Sequence, residues 1–171
     1  QFVQHSVFET VDDDGIDVLF KIFEGPKVQI ERVNIFGNTI TSDSVIRSEL
    51  LLDEGDPYSK VKLNKSISKI KSRNIFKKVE EKIIDGSAKD LKVMEIRVEE
   101  KPTGEIMAGA GVGTEGTSLS FAIKENNYLG KGLAVDATMN LTEESVKGGV
   151  SISNPNFNYT EKSLATSVFA I

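Results

Sequence analysis

The sequence predicts a chain in two parts: a charged α+β module of order β-α-α-β-β, then a series of antiparallel strands with one apolar and one polar face. Three observations carry this. Composition breaks near Pro102, because residues 103 to 171 hold 9 of the 14 glycines but only 4 of the 21 Lys and Arg. Helix periodicity, with its caps and stops, is confined to the part before the break, and a period of two dominates after it. The whole chain has 171 residues, 39% of them hydrophobic and 27% charged, a make-up typical of folded domains rather than of disorder.

Up to Pro26 the chain reads as two amphipathic strands joined by a turn at Asp12-Asp13-Asp14-Gly15. Val18, Phe20, Ile22, Glu24 and Pro26 recur 76 positions later as Met94, Ile96, Val98, Glu100 and Pro102. Both stretches therefore read as half-buried strands ending in an acidic residue and a proline stop. One module ends near Pro26 and another near Pro102, with the sharper boundary at Glu100-Lys101-Pro102-Thr103-Gly104. The first residue is not Met, and Gln1-Phe2-Val3 already reads as strand, so a longer parent chain is expected.

Within the middle module, Val28 and Ile30, then Val33 and Ile35, alternate with a change of phase near Glu31-Arg32, as a bulge produces. Gly37-Asn38 closes that strand. A helix capped by Thr41 or Ser42 follows, with Asp43 in its positive first turn, Ile46 and Leu50 on one face, and Glu54-Gly55-Asp56-Pro57 as its stop. The second helix runs from about Ser59 to Ser72, with Leu63, Ile67 and Ile70 at i, i+4 and i+7. Its other faces are basic: Lys60, Lys62, Lys65, Lys69, Lys71, Arg73, Lys77 and Lys78 follow one another with no acidic residue between. Such a run is either a solvated face or a surface for RNA, anionic lipid or an acidic protein. Strands Phe76 to Ile84 and Leu91 to Glu99 then pair through Asp85-Gly86-Ser87-Ala88-Lys89, where Gly86 is expected to supply a positive φ.

Beyond Pro102, Leu119, Phe121 and Ile123 alternate with Ser118, Ser120 and Lys124, and Leu133, Val135, Ala137, Met139 and Leu141 alternate with polar residues. Val146, Val150 and Ile152 continue the pattern, and Leu164, Val168 and Ala170 begin another strand. Segments of this length suit oblique crossing of a bilayer, and Tyr128, Phe157 and Tyr159 fall near segment ends, where membrane interfaces favour aromatics. A soluble β-sandwich shares the alternation, since lipid and a protein core both require one apolar face. The residues alone leave both readings open.

Several chemistries are excluded. A net charge of -5 argues against a whole-molecule attraction for nucleic acid. Without cysteine there are no disulfides, thiolate metal sites or cysteine nucleophiles. His5 is the only histidine and has no second ligand in view, and Asp12-Asp13-Asp14-Gly15 lacks the spacing of a calcium loop. No serine sits in a nucleophile elbow. Gly111-Val112-Gly113-Thr114-Glu115-Gly116 matches the dinucleotide fingerprint, but the strand periodicity of Thr117 to Lys124 removes the helix that would hold pyrophosphate. No catalytic residue, metal or cofactor is expected. The same glycines instead mark Gly104 to Gly113 as a strand weakly held by its neighbours, because glycine offers no cross-strand packing.

The residues Val33-Asn34-Ile35-Phe36-Gly37-Asn38-Thr39, Val45-Ile46-Arg47-Ser48-Glu49-Leu50, Glu54-Gly55-Asp56 and Glu99-Glu100-Lys101-Pro102-Thr103-Gly104 resemble the last POTRA domain of the BamA family of outer-membrane protein assembly factors. Gly109-Ala110-Gly111-Val112-Gly113, Asn127-Tyr128-Leu129-Gly130-Lys131-Gly132 and Asn154-Pro155-Asn156-Phe157 are similar to the first strands of that family's barrel. The resemblance implies three parts: residues 1–26, the closing hairpin of a preceding POTRA domain; 27–102, the last POTRA domain; and 103–171, the first strands of an incomplete transmembrane β-barrel.

It also implies a non-enzymatic function, the folding and insertion of outer-membrane proteins, with the barrel in the outer membrane and the POTRA domains in the periplasm. The first barrel strand, with Gly104, Gly109, Gly111 and Gly113, would be the weak seam that lends its edge to an incoming strand. Arg47, Glu49 and Glu54 would contact an accessory outer-membrane lipoprotein. The other expected partners are nascent outer-membrane proteins and membrane lipid. A two-partner-type secretion transporter shares the architecture and is the nearer alternative; a dinucleotide-binding enzyme is the remote one.

Overall fold

The computed structural model describes residues 3–12, 15–25, 27–113, 116–158, 160 and 162–170. Asp13 and Asp14 of the expected turn, Pro26 of the first boundary, Thr114 and Glu115 of the glycine motif, and Tyr159 lie outside the described residues. Two strands, β1 (Val3–Asp12) and β2 (Gly15–Glu24), form an antiparallel ribbon. The first strand of the α+β module is β3 (Gln29–Phe36), followed by α1 (Asp43–Arg47), α2 (Lys60–Ser72), β4 (Phe76–Asp85) and β5 (Leu91–Glu100). Five further strands complete the chain: β6 (Gly104–Gly113), β7 (Gly116–Tyr128), β8 (Leu133–Thr142), β9 (Val146–Phe157) and β10 (Lys162–Ala170).

The module's sheet has the order β3-β5-β4, so the last strand is central, parallel to β3 and antiparallel to β4. Every second residue of β5 from Met94 to Val98 is buried, with Ile96 fully so, and these meet Ile30 and Val33 of β3 and Val79 of β4. The change of phase in β3 is a real irregularity, since the register shifts between Ile30 and Arg32. The residue it displaces is used: the Glu31 carboxylate accepts the Ser87 N–H at 2.7 Å. Leu63, Ile67 and Ile70 of α2 close the core from above, and Ser59 caps the helix by accepting the Lys62 N–H at 3.4 Å.

Two local expectations are corrected. The first helix ends at Arg47 rather than running on through Leu50. Beyond it the chain tightens, with Glu49 N–H donating to Ile46 O and Leu50 N–H to Arg47 O, and Leu51 N–H is taken by the buried Ser66 hydroxyl at 2.8 Å. A competing side-chain acceptor thus ends the helix before its stop signal arrives. Gly86 does not take a positive φ. Its use there is space, because an added Cβ would displace the Glu31 carboxylate that accepts the Ser87 N–H and would crowd Leu91.

The second sheet is an antiparallel meander of order β10-β9-β8-β7-β6. Its register aligns Ile106, Ile123, Ala137, Val150 and Val168 across all five strands on one face. One residue along, on the other face, Glu105, Lys124, Asp136, Ser151 and Ser167 form a polar row. The apolar face is uncovered: Ile106 is 83% exposed and Val168 72%. Among the described residues no second layer packs on it. The fold is an α+β module followed by an antiparallel five-stranded meander with one apolar and one polar face.

Candidate functional site

Two features stand out where the module meets the second sheet: a glycine-rich strand and, beneath it, a collar of polar contacts.

Among the described residues β6 pairs with β7 and stands at one end of its sheet, with β10 at the other. All ten of its residues are exposed. Register divides the four glycines between the faces: Gly104, opposite Glu125, shares the apolar side with Ile106, whereas Gly109, Gly111 and Gly113 lie on the polar side. A Cβ at Gly109 would stand 2.8 Å from Ser120 Oγ, and one at Gly111 3.2 Å from Ser118 Oγ. Those serine hydroxyls lean toward the strand, with Ser118 Oγ donating to Gly111 O at 3.4 Å. Beyond Met107 the polar side of β6 therefore offers no side chain for cross-strand packing, and there it is held by its backbone ladder to β7.

The collar joins module to sheet through side chains of both. Arg73 Nη2 donates to Gly132 O at 2.7 Å, and Asn127 Nδ2 donates to Thr41 Oγ1 at 2.9 Å. The Asn127 carbonyl in turn accepts the Gly132 N–H at 2.8 Å, while Ser42 N–H donates to Gly130 O at 2.9 Å. Asn156 Nδ2 of β9 reaches Ser48 O at 3.1 Å. Gly130 and Gly132 have φ of +69° and +65°. At Gly130 an added Cβ would also collide with Ile40 O, so both backbone conformation and close approach require glycine there.

Two carboxylates organise the module's side of the collar. Glu49, 8% exposed, stands 3.7 Å from the Arg73 guanidinium. Burial pushes the Arg73 pKa down and Glu49 pushes it up; the net shift is downward. Glu100, at the end of β5, accepts the N–H groups of Thr39, Ile40 and Thr41 at 3.0, 2.9 and 2.6 Å and the Thr39 hydroxyl at 2.7 Å. Partial burial raises the Glu100 carboxyl pKa, but the hydrogen bonds from Thr41, Thr39 and Ile40 together outweigh it and hold the value at about 2.

Of the residues singled out for a partner contact, the structure brings Arg47 and Glu54 together. Arg47 Nη1 lies 3.7 Å from Glu54 Oε1, Arg47 Nη2 donates to Val33 O at 2.8 Å, and Glu54 accepts the Val33 N–H at 3.1 Å. Both side chains remain well exposed. Glu49 is elsewhere, turned into the collar. The basic run is mostly a solvated face, with Lys77 paired to Glu99 and Lys78 to Glu80, but Arg73 leaves it for the collar. His5 is exposed on β1. The segment after the dinucleotide-like motif is β7, so no helix N-terminus faces those glycines. Sequence reasoning missed Asn127, Arg73 and the junction role of Gly130 and Gly132. The spacing of the two glycines in Asn127-Tyr128-Leu129-Gly130-Lys131-Gly132 was the available signal.

Residues 28–101 match the POTRA family, described as a surface antigen variable number repeat. The outer membrane protein assembly factor BamA of Neorickettsia risticii is 37% identical over 118 residues, which cover 67% of this chain. This chain spans 16% of that relative's length. The crystal structure of BamA from Haemophilus ducreyi lacking POTRA domains 1-3 superposes with a TM-score of 0.76 at 22% identity, over 98% of this chain and 32% of that one. CdiB from Escherichia coli gives a TM-score of 0.54 at 11% identity, over 88% of this chain and 28% of that one, a likeness of fold alone. The chain belongs to the BamA family of POTRA-plus-β-barrel outer-membrane proteins, and it carries a POTRA domain with the barrel strands that follow it.

Proposed function

We propose that the full-length protein folds and inserts β-barrel proteins in the outer membrane by lending the edge of β6 to an incoming strand, with no covalent step. The observation that carries this reading is the glycine content of β6, where Gly109, Gly111 and Gly113 all face the polar side of its pairing with β7. When such an edge opens, its N–H and C=O groups can template another strand, and three glycines on the polar side give a neighbouring strand few side chains to pack against. The barrel would lie in the outer membrane and the POTRA domains in the periplasm. Residues 1–26 would be the closing hairpin of a preceding POTRA domain, 27–102 the last POTRA domain and 103–171 the barrel part. In support, β2 and β5 are both ten-residue strands displaced by 76 positions, and Phe20 and Ile22, at the places of buried Ile96 and Val98, are 62% and 64% exposed. The two-partner transporter shares the fold, but the 37% identical relative is an assembly factor, which favours insertion.

Replacing Gly109 and Gly111 by Val in the full-length protein stiffens the edge and places β-branched side chains against Ser120 and Ser118. Insertion of a barrel substrate into proteoliposomes is expected to slow about tenfold, the factor corresponding to about 1.4 kcal/mol; an unchanged rate would remove β6 from the mechanism. Arg47 and Glu54 are proposed as the contact for an accessory lipoprotein. Glu54→Lys would then place like charge beside Arg47 and weaken lipoprotein binding. Unaltered affinity in a pull-down titration would reassign the pair to a purely internal role, tying α1 to β3.

A further inference from the structure

The geometry points to a second membrane contact, in which the POTRA loop 38–42 and the turn 128–131 form one anchor seated in the headgroup layer of the periplasmic lipid surface. Ile40 and Leu129 are its apolar plugs. This inference rests on the reading that β6–β10 cross the outer membrane.

Ile40 and Leu129 are each 72% exposed, and Tyr128 is 45% exposed. They line one open cavity of about 710 Å³ together with Gly104 and Glu125. Gly104 and Glu125 are cross-strand partners on the face that carries Ile106 and Ile123, so the cavity opens on the lipid-facing side, at its lower rim. The apolar surface of the barrel is therefore continued downward by a POTRA residue. The turn divides its residues between protein and membrane. Gly130 and Gly132 are buried against the POTRA domain, while Leu129 and Lys131 beside them are exposed. Tyr128 and Lys131 flank Leu129 and Gly130, and Tyr and Lys are residue types that suit a membrane interface, the cation reaching for phosphate while its stem lies on apolar surface.

Ile40 is held in this place by the collar. Glu100 fixes the N–H groups on and around it, Ser42 N–H is bonded to Gly130 O, and Thr41 Oγ1 is bonded to Asn127. The backbone is thus immobilised on both sides of an apolar side chain that remains in the open. Leu129 sits at φ +54°, a conformation uncommon for a residue with a Cβ, and it too is turned outward. A loop ordered beforehand loses little freedom when its side chain enters lipid.

The test uses nitroxide spin labels on single cysteines in the full-length protein, with any cysteines outside this chain replaced, reconstituted in phosphatidylethanolamine–phosphatidylglycerol vesicles. Labels at Ile40→Cys and Leu129→Cys are expected to show raised accessibility to oxygen and lowered accessibility to an aqueous nickel chelate, as at Phe121→Cys on the barrel face. Val61→Cys, exposed on α2, is expected to remain aqueous. An aqueous label at position 40 beside a lipid-like one at 121 overturns the anchor and leaves the barrel reading intact. Aqueous labels at both overturn the two together. Equal lipid exposure at 40 and 61 also overturns it, because the contact would then belong to the whole POTRA domain rather than to this loop. Ile40→Asp is a second check: the labelled Leu129→Cys site should become more aqueous in its presence, and no change would detach the two plugs from each other.

Discussion

The two sheets of this chain obey the same period of two and end up in opposite circumstances. In the POTRA sheet the apolar face of β5 is sealed by α2, and the described buried hydrophobic residues all lie between Ile30 and Val98. In the barrel-type sheet the apolar face, from Ile106 to Val168, is open. Water cannot be the intended neighbour of so continuous an apolar surface. The difference teaches that alternation reports only that a strand has two environments. Whether the apolar one is protein or lipid depends on what the rest of the chain supplies.

The largest expected effect is in the sealed sheet. Ile96 is fully buried at the centre of the POTRA core, and Ile96→Ala should cost about 4 kcal/mol through lost burial and an unfilled cavity. Loss of stability in urea titrations of the protein would measure it, and a cost below about 1 kcal/mol would mean that the core is not close-packed there. Next comes a pair of substitutions one residue apart in β7. Phe121→Lys puts charge on the face assigned to lipid and should destabilise the folded barrel by about 2–4 kcal/mol, whereas Ser120→Lys, on the polar face, should cost close to nothing. Equal costs for the two would erase the distinction between the faces.

The smallest effect concerns the collar that separates the two environments. The Glu100 carboxyl is held at about 2 against an ordinary 4.5, so its contribution to stability is present above pH 4.5 and is lost as pH falls through about 2. Protection of the Thr39, Ile40 and Thr41 amides from exchange, relative to their unstructured rates, should fall over that window in the native protein. Glu100→Gln, lacking the charged acceptor, should show fast exchange there at every pH. An exchange profile that ignores both changes would mean the loop is held by other contacts.

Much of the fold was legible because it is written in short-range signals. The period in β8 predicts Leu133 to Thr142 as the structure has it, and the helix expected from about Ser59 to Ser72 on its apolar stripe is Lys60–Ser72. The early end of α1 was not legible, because Ser66, fifteen residues on, competes for the Leu51 N–H. The weak strand Gly104–Gly113 could be read from glycine spacing, but the face on which Gly109, Gly111 and Gly113 fall could not. That depends on register, and a slip of one residue would exchange the faces. Arg73 illustrates the limit best. In sequence it is one cation among eight in a basic run; in the fold it is the one that meets Glu49 and Gly132.

Sequence by itself determined the element types, the composition break at Pro102 and the two-faced character of every strand beyond it, since these follow from side-chain volume, backbone freedom and periodicity along a few residues. Tertiary structure decided the rest: β5 at the centre of its sheet, an apolar barrel face with no layer over it, Glu49 taken into the collar away from Arg47 and Glu54, and a POTRA loop clamped against the turn at Gly130. The pairing of Gln29 with Leu91, the approach of Glu49 to Arg73 and the bond of Ser42 to Gly130 all join residues distant in sequence, where contacts are set by chain topology and packing that no local pattern encodes.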